Sequence, residues 1–233
     1  MTPRSDFVNY PTLLFDVDDT LLNFQASEHQ AIQKLFNQIN RPLTSKAYQN
    51  YHQMNEGLWR RLERGEISRE TLLNTRFQIF FSQYGLDVDG VAYEKQYRQF
   101  LSAGHDPIPN AVQLLNDLSH HHQLYIVTNG IAATQKRRLR ESGMAKYITK
   151  MFVSETVGHP KPEPQFFDYV AESIDHFDKQ QSLVVGDSLT SDILGAANYG
   201  LDSVWFNPAH QQNSTSTKPT YEIAELMELE NIV

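Results

Sequence analysis

Two stretches of this 233-residue sequence gather carboxylates where an apolar strand should end. The first is Phe15-Asp16-Val17-Asp18-Asp19-Thr20-Leu21. A strand that finishes on three carboxylates needs a cation to offset their repulsion, and hard oxygen donors of this kind select magnesium or calcium over zinc. Side chains alternate along a strand, so Asp16 and Asp18 point the same way. One can then act as nucleophile while the other handles protons. The competing explanation is a solvated acidic turn. The second stretch is Val184-Val185-Gly186-Asp187-Ser188-Leu189-Thr190-Ser191-Asp192. Asp187 ends a strand, Asp192 falls in the first turn of the next helix, and Gly186 lets the backbone approach an ion closely. Alone, Asp192 reads as an acid suited to a helix N-terminus. Beside the first cluster it reads as part of a site, because both groups lie at strand C-terminal ends, where open α/β sheets bind ligands.

Positive groups are fewer. Ile126-Val127-Thr128-Asn129-Gly130 puts a hydroxyl and loop N–H groups at the end of another strand, just ahead of a helix, which is a natural anion seat. Lys161 stands in Gly158-His159-Pro160-Lys161-Pro162-Glu163-Pro164, where three prolines stiffen the loop around it. An exposed lysine is usually only a solvated charge. The stiffness here indicates that its position matters.

These residues need a scaffold that brings strand ends together. Thr12–Asp16, Leu124–Thr128, Met151–Ser154, Ser182–Gly186 and Ser203–Phe206 read as buried strands. Helical patterns separate the last four: Ala132 to Ser142, Gln165 to Ile174, and Ser191 to Tyr199, the first closed by Gly143 and the last by Gly200. Alternating strands and helices predict a parallel sheet covered on both faces. From residue 22 to 104 the periodicity is helical only. Ile32, Leu35, Phe36 and Ile39 mark one helix, Ala47, Tyr51, Met54, Leu58 and Leu62 the next. Leu73, Phe77, Phe80 and Tyr84 mark a third, and Tyr93, Tyr97 and Phe100 a fourth. A further helix is expected at Ala111–Leu118, and Asn207 to Thr220 reads as a surface loop before a final strand or helix. The predicted division is a sheet domain of residues 1–21 and 105–233 with a helical bundle, 22–104, inserted after the first strand.

Composition narrows the partners. Twenty Lys and Arg against 28 Asp and Glu leave a net charge of −8, which disfavours a broad basic face for nucleic acid. There is no cysteine, so thiolate zinc sites, disulfides and a Cys nucleophile are excluded. Residues 1–11 lack the apolar stretch of a signal peptide, and no run reaches the ~20 apolar residues of a membrane span. A cytoplasmic protein is expected.

Asp16-x-Asp18-x-Thr20, Thr128, Lys161 and Gly186-Asp187-x4-Asp192, in that order and on those strands, resemble the four motifs of the haloacid dehalogenase-like (HAD) hydrolase superfamily. The helical insertion resembles that superfamily's α-helical cap. The resemblance implies a Rossmann-like α/β core with strand order 3-2-1-4-5. Within the superfamily, Asn55-x-x-Leu58-Trp59, Arg76-Phe77, Ile126-Val127-Thr128-Asn129-Gly130 and Ser191-Asp192-Ile193-Leu194-Gly195 are similar to the pyrimidine 5′-nucleotidases of the YjjG type.

The chemistry implied is Mg²⁺-dependent hydrolysis of a phosphomonoester. Asp16, the Asp18 main-chain carbonyl, Asp187 and Asp192 would hold the ion, and Thr128, the Asn129 N–H and Lys161 would hold the phosphoryl oxygens. Asp16 would attack phosphorus to give an aspartyl-phosphate, and Asp18 would serve as acid and then base. The expected substrate is a small phosphorylated metabolite, with a nucleoside monophosphate ahead of phosphoglycolate or a sugar phosphate. Phosphomutase, dehalogenase and catalytically silent phosphate-binding protein are the rival readings. In the cap, Asn55 and Trp59 fall off the main apolar stripe and are the candidate specificity residues; Tyr51, Phe77 and Arg76 are assigned mostly to the helix core. His120-His121-His122 and Lys136-Arg137-Arg138 with Arg140 read as solvated helix charges, and Asp19 as turn chemistry.

Overall fold

In the computed structural model, which describes residues 10–233, the apolar runs become six strands. The first nine residues, with most of the segment 1–11 discussed for a signal peptide, lie outside the described residues. The strands are β1 (Thr12–Phe15), β2 (Gln123–Thr128), β3 (Lys150–Val153), β4 (Ser182–Gly186), β5 (Asp202–Phe206) and β6 (Tyr221–Ile223). They lie in the order β3-β2-β1-β4-β5-β6, every neighbouring pair parallel. This is the expected 3-2-1-4-5 arrangement extended by one edge strand. After the loop, the chain makes both the short strand β6 and a 3₁₀ helix, Leu226–Asn231.

Successive residues of β1 feed opposite faces. Leu13 and Phe15 pack with Leu114 and Leu115 of helix α5 (Ala111–Leu118), whereas Leu14 packs with Phe166, Phe167 and Val170 of α8 (Pro164–Glu172). Burial on both sides is why the parallel strands read as unbroken apolar runs. The remaining helices of this layer are α6 (Ala132–Glu141), α7 (Ser154–Val157) and α9 (Leu194–Tyr199).

Between β1 and α5 the chain forms four helices: α1 (Phe24–Gln38), α2 (Ser45–Glu63), α3 (Arg69–Ser82) and α4 (Gly90–Leu101). Asn23, Thr44, Ser68 and Asp89 cap them in turn, each side chain accepting a first-turn N–H. Ile32, Leu35, Phe36, Tyr51, Phe77, Phe80, Phe81 and Tyr97 fill their shared core. Gly90 permits the α3–α4 approach, because a Cβ there would stand 2.3 Å from the Asn74 carbonyl oxygen. A buried polar chain crosses this bundle. Arg76 donates to both oxygens of Glu94 and to Asn55 Oδ1, and Asn55 Nδ2 donates to Glu28 Oε1. Each insert helix supplies one of these residues, so the network ties all of them together.

The insert leaves and rejoins the sheet through adjacent segments. Leu22 pairs with Pro107 in an antiparallel bridge, Asn23 N–H donates to Asp106 O, and Ile108 N–H donates to Leu21 O. Among the described residues, no helix is long and apolar enough to cross a membrane.

Candidate active site

The site forms because β1 and β4 lie side by side in register, Phe15 opposite Val185. The next residue, Asp16, therefore leaves its strand beside Gly186 and Asp187, and its N–H donates to Val185 O at 2.9 Å. The Asp16-to-Leu22 turn is then fastened to the second acidic stretch by Thr20. Its buried hydroxyl accepts from Asp187 N–H at 3.1 Å and donates to Asp187 Oδ1 at 3.4 Å. Asp19 adopts a left-handed φ of 56°, and its carboxylate accepts the N–H groups of Phe24 and Gln25 at the start of α1. It is turn chemistry, as expected.

Lys161 is 1% exposed and spends all three ammonium protons within the site. It donates to Asp16 Oδ1 at 2.7 Å, Asp192 Oδ1 at 2.5 Å and the Val127 carbonyl at 2.7 Å. Burial opposes its charge, but Asp16 and Asp192 outweigh that and raise its pKa above the ordinary lysine value. Asp192 lies in a π-helical turn, Leu189–Ile193, that replaces the expected regular start of the last helix. Its other oxygen accepts Ser188 N–H at 3.1 Å. Gly186 is required by this approach: a Cβ there would stand 2.3 Å from Asp192 Cγ.

Asp16, Asp187 and Asp192 each place a carboxylate oxygen within 4.8 Å of the others. Loss of hydration raises the Asp16 pKa to about 8; Lys161 opposes the shift, and Asp192 and Asp18 add to it. Asp187 is raised well above the carboxylate range by burial and by the neighbouring Asp192 and Asp16. One lysine does not offset three converging carboxylates. Such a set of hard oxygen donors fits a divalent cation of the magnesium type.

Asp18 takes a separate path. Its Oδ1 accepts from Arg138 Nη1 and its Oδ2 accepts from Gln135 Nε2, the latter at 2.6 Å. This corrects the reading of the α6 basic run. Lys136, Arg137 and Arg140 are exposed, but Arg138 is 1% exposed and also donates to Gly104 O at 2.8 Å. The signal available was helical phase: Gln135, Arg138 and Leu139 share the inward stripe of α6.

Thr128 is buried, and its hydroxyl accepts from Gly130 N–H at 3.1 Å, shaping the turn after β2. The Asn129 side chain is a staple between loops, donating to Lys161 O at 2.8 Å and accepting Lys161 N–H at 2.9 Å. Thr128, Asn129 and Gly130 line the same cavity as the acids. A cavity of about 220 Å³ joins these residues to Trp59, Leu73 and Tyr97 of the insert. Of the two candidate specificity residues, Trp59 lines this cavity, whereas the Asn55 amide is buried and committed to Glu28 and Arg76. Glu63 also lines the cavity, accepts from Thr190 Oγ1 at 3.0 Å, and is raised to about 7 by burial. Neither Glu63 nor the α3 residue Arg69, which bonds to the Asn129 and Gly130 carbonyls, was singled out from sequence.

Residues 10–200 match the family model of the haloacid dehalogenase-like hydrolases. The chain is 46% identical over 224 residues to the HAD-hydrolase YfnB of Bacillus subtilis, covering 96% of this chain and 95% of that one. Its fold superposes on the magnesium-bound crystal structure of YfnB, which reveals interdomain movement, with a TM-score of 0.92 over 96% of this chain and 98% of that one. It is 39% identical to the pyrimidine 5′-nucleotidase PynA of Streptococcus pneumoniae, over 94% of this chain and 93% of the relative. Identity to the pyrimidine 5′-nucleotidase YjjG of Escherichia coli is 32%, over 95% and 96% respectively.

Proposed function

The chain belongs to the haloacid dehalogenase-like hydrolase family, and from that premise we propose that it is a magnesium-dependent phosphatase of pyrimidine nucleoside monophosphates. The observation that carries the reading is the buried Asp16 carboxylate, held by Lys161 in the lining of a cavity that the helical insert shares. The relatives PynA and YjjG, both pyrimidine 5′-nucleotidases, support the substrate class.

Asp16, Asp187, Asp192 and the main-chain carbonyl of Asp18 would hold the ion. Magnesium, when bound, supplies positive charge that lets a carboxylate approach a nearly dianionic phosphoryl group. Thr128 and the N–H of Asn129 would bind and orient the phosphoryl oxygens, with Lys161 turning one of the protons it gives Asp16, Asp192 and the Val127 carbonyl toward them. Asp16 attacks phosphorus, forming an acyl phosphate as the bond to the ester oxygen breaks, and Asp18, entering the step protonated in the closed site, delivers that proton to the oxygen. Asp18 then takes a proton from water, whose oxygen displaces Asp16 from phosphorus and releases inorganic phosphate. Residues 22–104 act as the cap, closing over the core of residues 1–21 and 105–233 to exclude bulk water. Trp59 and Phe24 provide aromatic surface for a base.

Phosphate release across pyrimidine and purine monophosphates, phosphoglycolate and hexose phosphates, with and without Mg²⁺, tests the proposal. Preference for UMP or dTMP, abolished by chelation, is expected. Preference for phosphoglycolate or a hexose phosphate overturns the nucleotidase reading, and turnover of a haloacid without metal overturns the phosphatase reading.

A further inference from the structure

Arg69 is the first residue of α3, yet every hydrogen bond of its guanidinium leaves the insert. Nη1 donates to the main-chain carbonyls of Asn129, at 2.8 Å, and Gly130, at 3.3 Å. Nη2 donates to the hydroxyl of Ser154, the residue that follows β3. The guanidinium carbon also stands 5.8 Å from the ring centre of Trp59. Its hydrogen-bond partners therefore all lie at the carboxyl ends of β2 and β3, where the phosphoryl group is expected to sit.

Within the insert the guanidinium meets the Trp59 ring, and among the described residues no hydrogen bond there asks for arginine. Ser68 already caps α3, accepting Thr71 N–H at 3.0 Å. A cation in the first turn is opposed by the helix dipole. Packing against the core also strips hydration from this guanidinium and depresses its pKa, with only Glu155 as an opposing charge. The unfavourable placement is offset by bonds made across the seam between insert and sheet. On the same seam Glu63 has a single bond from Thr190, and that bond does not reach the turn after β2.

We infer that Arg69 is a positioning residue that fastens the insert to the Asn129–Gly130 turn, so that the phosphate seat and the Trp59 wall are set in one docking event. The inference rests on the phosphatase reading for what the seat binds. The carbonyls of residues 129 and 130 belong to the peptide units next to the N–H groups that would face phosphate. Holding those carbonyls fixes the tilt of the turn, and releasing them frees it. A seat completed by the insert binds phosphate weakly whenever the insert is undocked.

Two variants separate this role from simple packing. Arg69→Met keeps an unbranched apolar stem beside Trp59 and removes every donor; Ser154→Ala removes one acceptor. The expected results for Arg69→Met are inorganic phosphate binding weakened about tenfold, faster hydrogen exchange at Asn129 and Gly130, and a melting temperature close to wild type. Ser154→Ala should fall between the two. Phosphate affinity and exchange unchanged in Arg69→Met would overturn the inference, as would weakening that tracks a general loss of stability in both variants. Because these readouts need no turnover, they stay separate from the ester panel: a wild-type protein inactive on every ester defeats the phosphatase reading alone.

Discussion

Asp18 and Arg138 stand 120 residues apart in the chain and pair directly in the fold, Arg138 Nη1 donating to Asp18 Oδ1. Gln135 holds the other carboxylate oxygen at 2.6 Å, so both donors come from successive turns of α6. The proposed acid–base group is thus aimed by a helix on the far side of the β2 turn. Arg138→Met should lower kcat by about 10- to 100-fold, since misplacing a reacting group by an ångström costs on that order. KM should change little, and Arg138→Lys should recover part of the loss. Steady-state kinetics on both variants, with a denaturation curve to check folding, decide it.

The two aspartates of the first motif should fail differently. Asp16→Asn removes the nucleophile and should abolish turnover while the circular dichroism spectrum stays native. Asp18→Asn should still allow attack at phosphorus but slow hydrolysis, leaving acid-labile phosphate on the protein. Rapid quenching with labelled substrate, followed by acid and base treatment, distinguishes them. A near-normal rate in Asp16→Asn defeats the mechanism.

Metal binding can be read without any substrate. If Asp16, Asp187 and Asp192 share an ion, Mg²⁺ at a hundred times its dissociation constant adds about 2.7 kcal/mol to the folded state. The melting temperature should rise on adding Mg²⁺, fall back with EDTA, and stop responding in Asp187→Asn. A variant that keeps the full response places the ion elsewhere.

Trp59 and Asn55 looked alike as specificity candidates, and they now carry opposite expectations. Trp59 lines the cavity. Trp59→Ala should raise KM for a nucleotide about tenfold, as for the loss of one aromatic stacking partner, while p-nitrophenyl phosphate is little affected. Asn55 bridges Glu28 and Arg76 inside the bundle. Asn55→Ala should cost about 1–3 kcal/mol by leaving buried polar groups without partners, with kcat/KM per folded molecule unchanged. Urea titration beside kinetics on both variants separates the roles.

The same polar chain predicts a pH dependence. His52 Nδ1 lies 2.7 Å from the buried Glu28 carboxylate, and that hydrogen bond raises the His52 pKa above its ordinary 6.5. The folded state therefore holds the proton more tightly than the unfolded chain. The stabilisation is complete below about pH 6.5 and is lost as pH rises through the higher folded value. Wild type should exceed His52→Gln in melting temperature at pH 5.5, with the gap closing by pH 9.

What could be read beforehand follows from how locally each feature is specified. Buried parallel strands announce themselves as apolar runs; Asp16 and Asp187 sit where two of those runs stop, and Lys161 is marked by the three prolines around it. In sequence the end of the chain stays open between strand and helix because three residues, Tyr221–Ile223, carry too little pattern to separate the two; it makes both. Arg69 and Arg138 escaped for another reason. A long cationic side chain on a helix reads as solvated unless its tertiary neighbours are known, and here those neighbours are distant in sequence. Asn129 lines the cavity, and its side-chain amide serves the Lys161 loop, a tertiary partner 32 residues away that local sequence does not announce. The regular helix expected from Ser191 became a π-helical turn because Asp192 must fold back to Ser188 and Lys161.

The narrow crossing at Leu22 and Pro107 has one more consequence. Both passages of the chain lie in a single bridge, so the insert is joined covalently to the sheet along a line, as a door is to its frame. A rotation about that line would displace Trp59 and Arg69, on the insert, more than the Asp16-to-Leu22 turn that lies beside it. On the proposed reading, the wall that would meet the substrate and the carboxylates that would react thus sit on opposite sides of one hinge line.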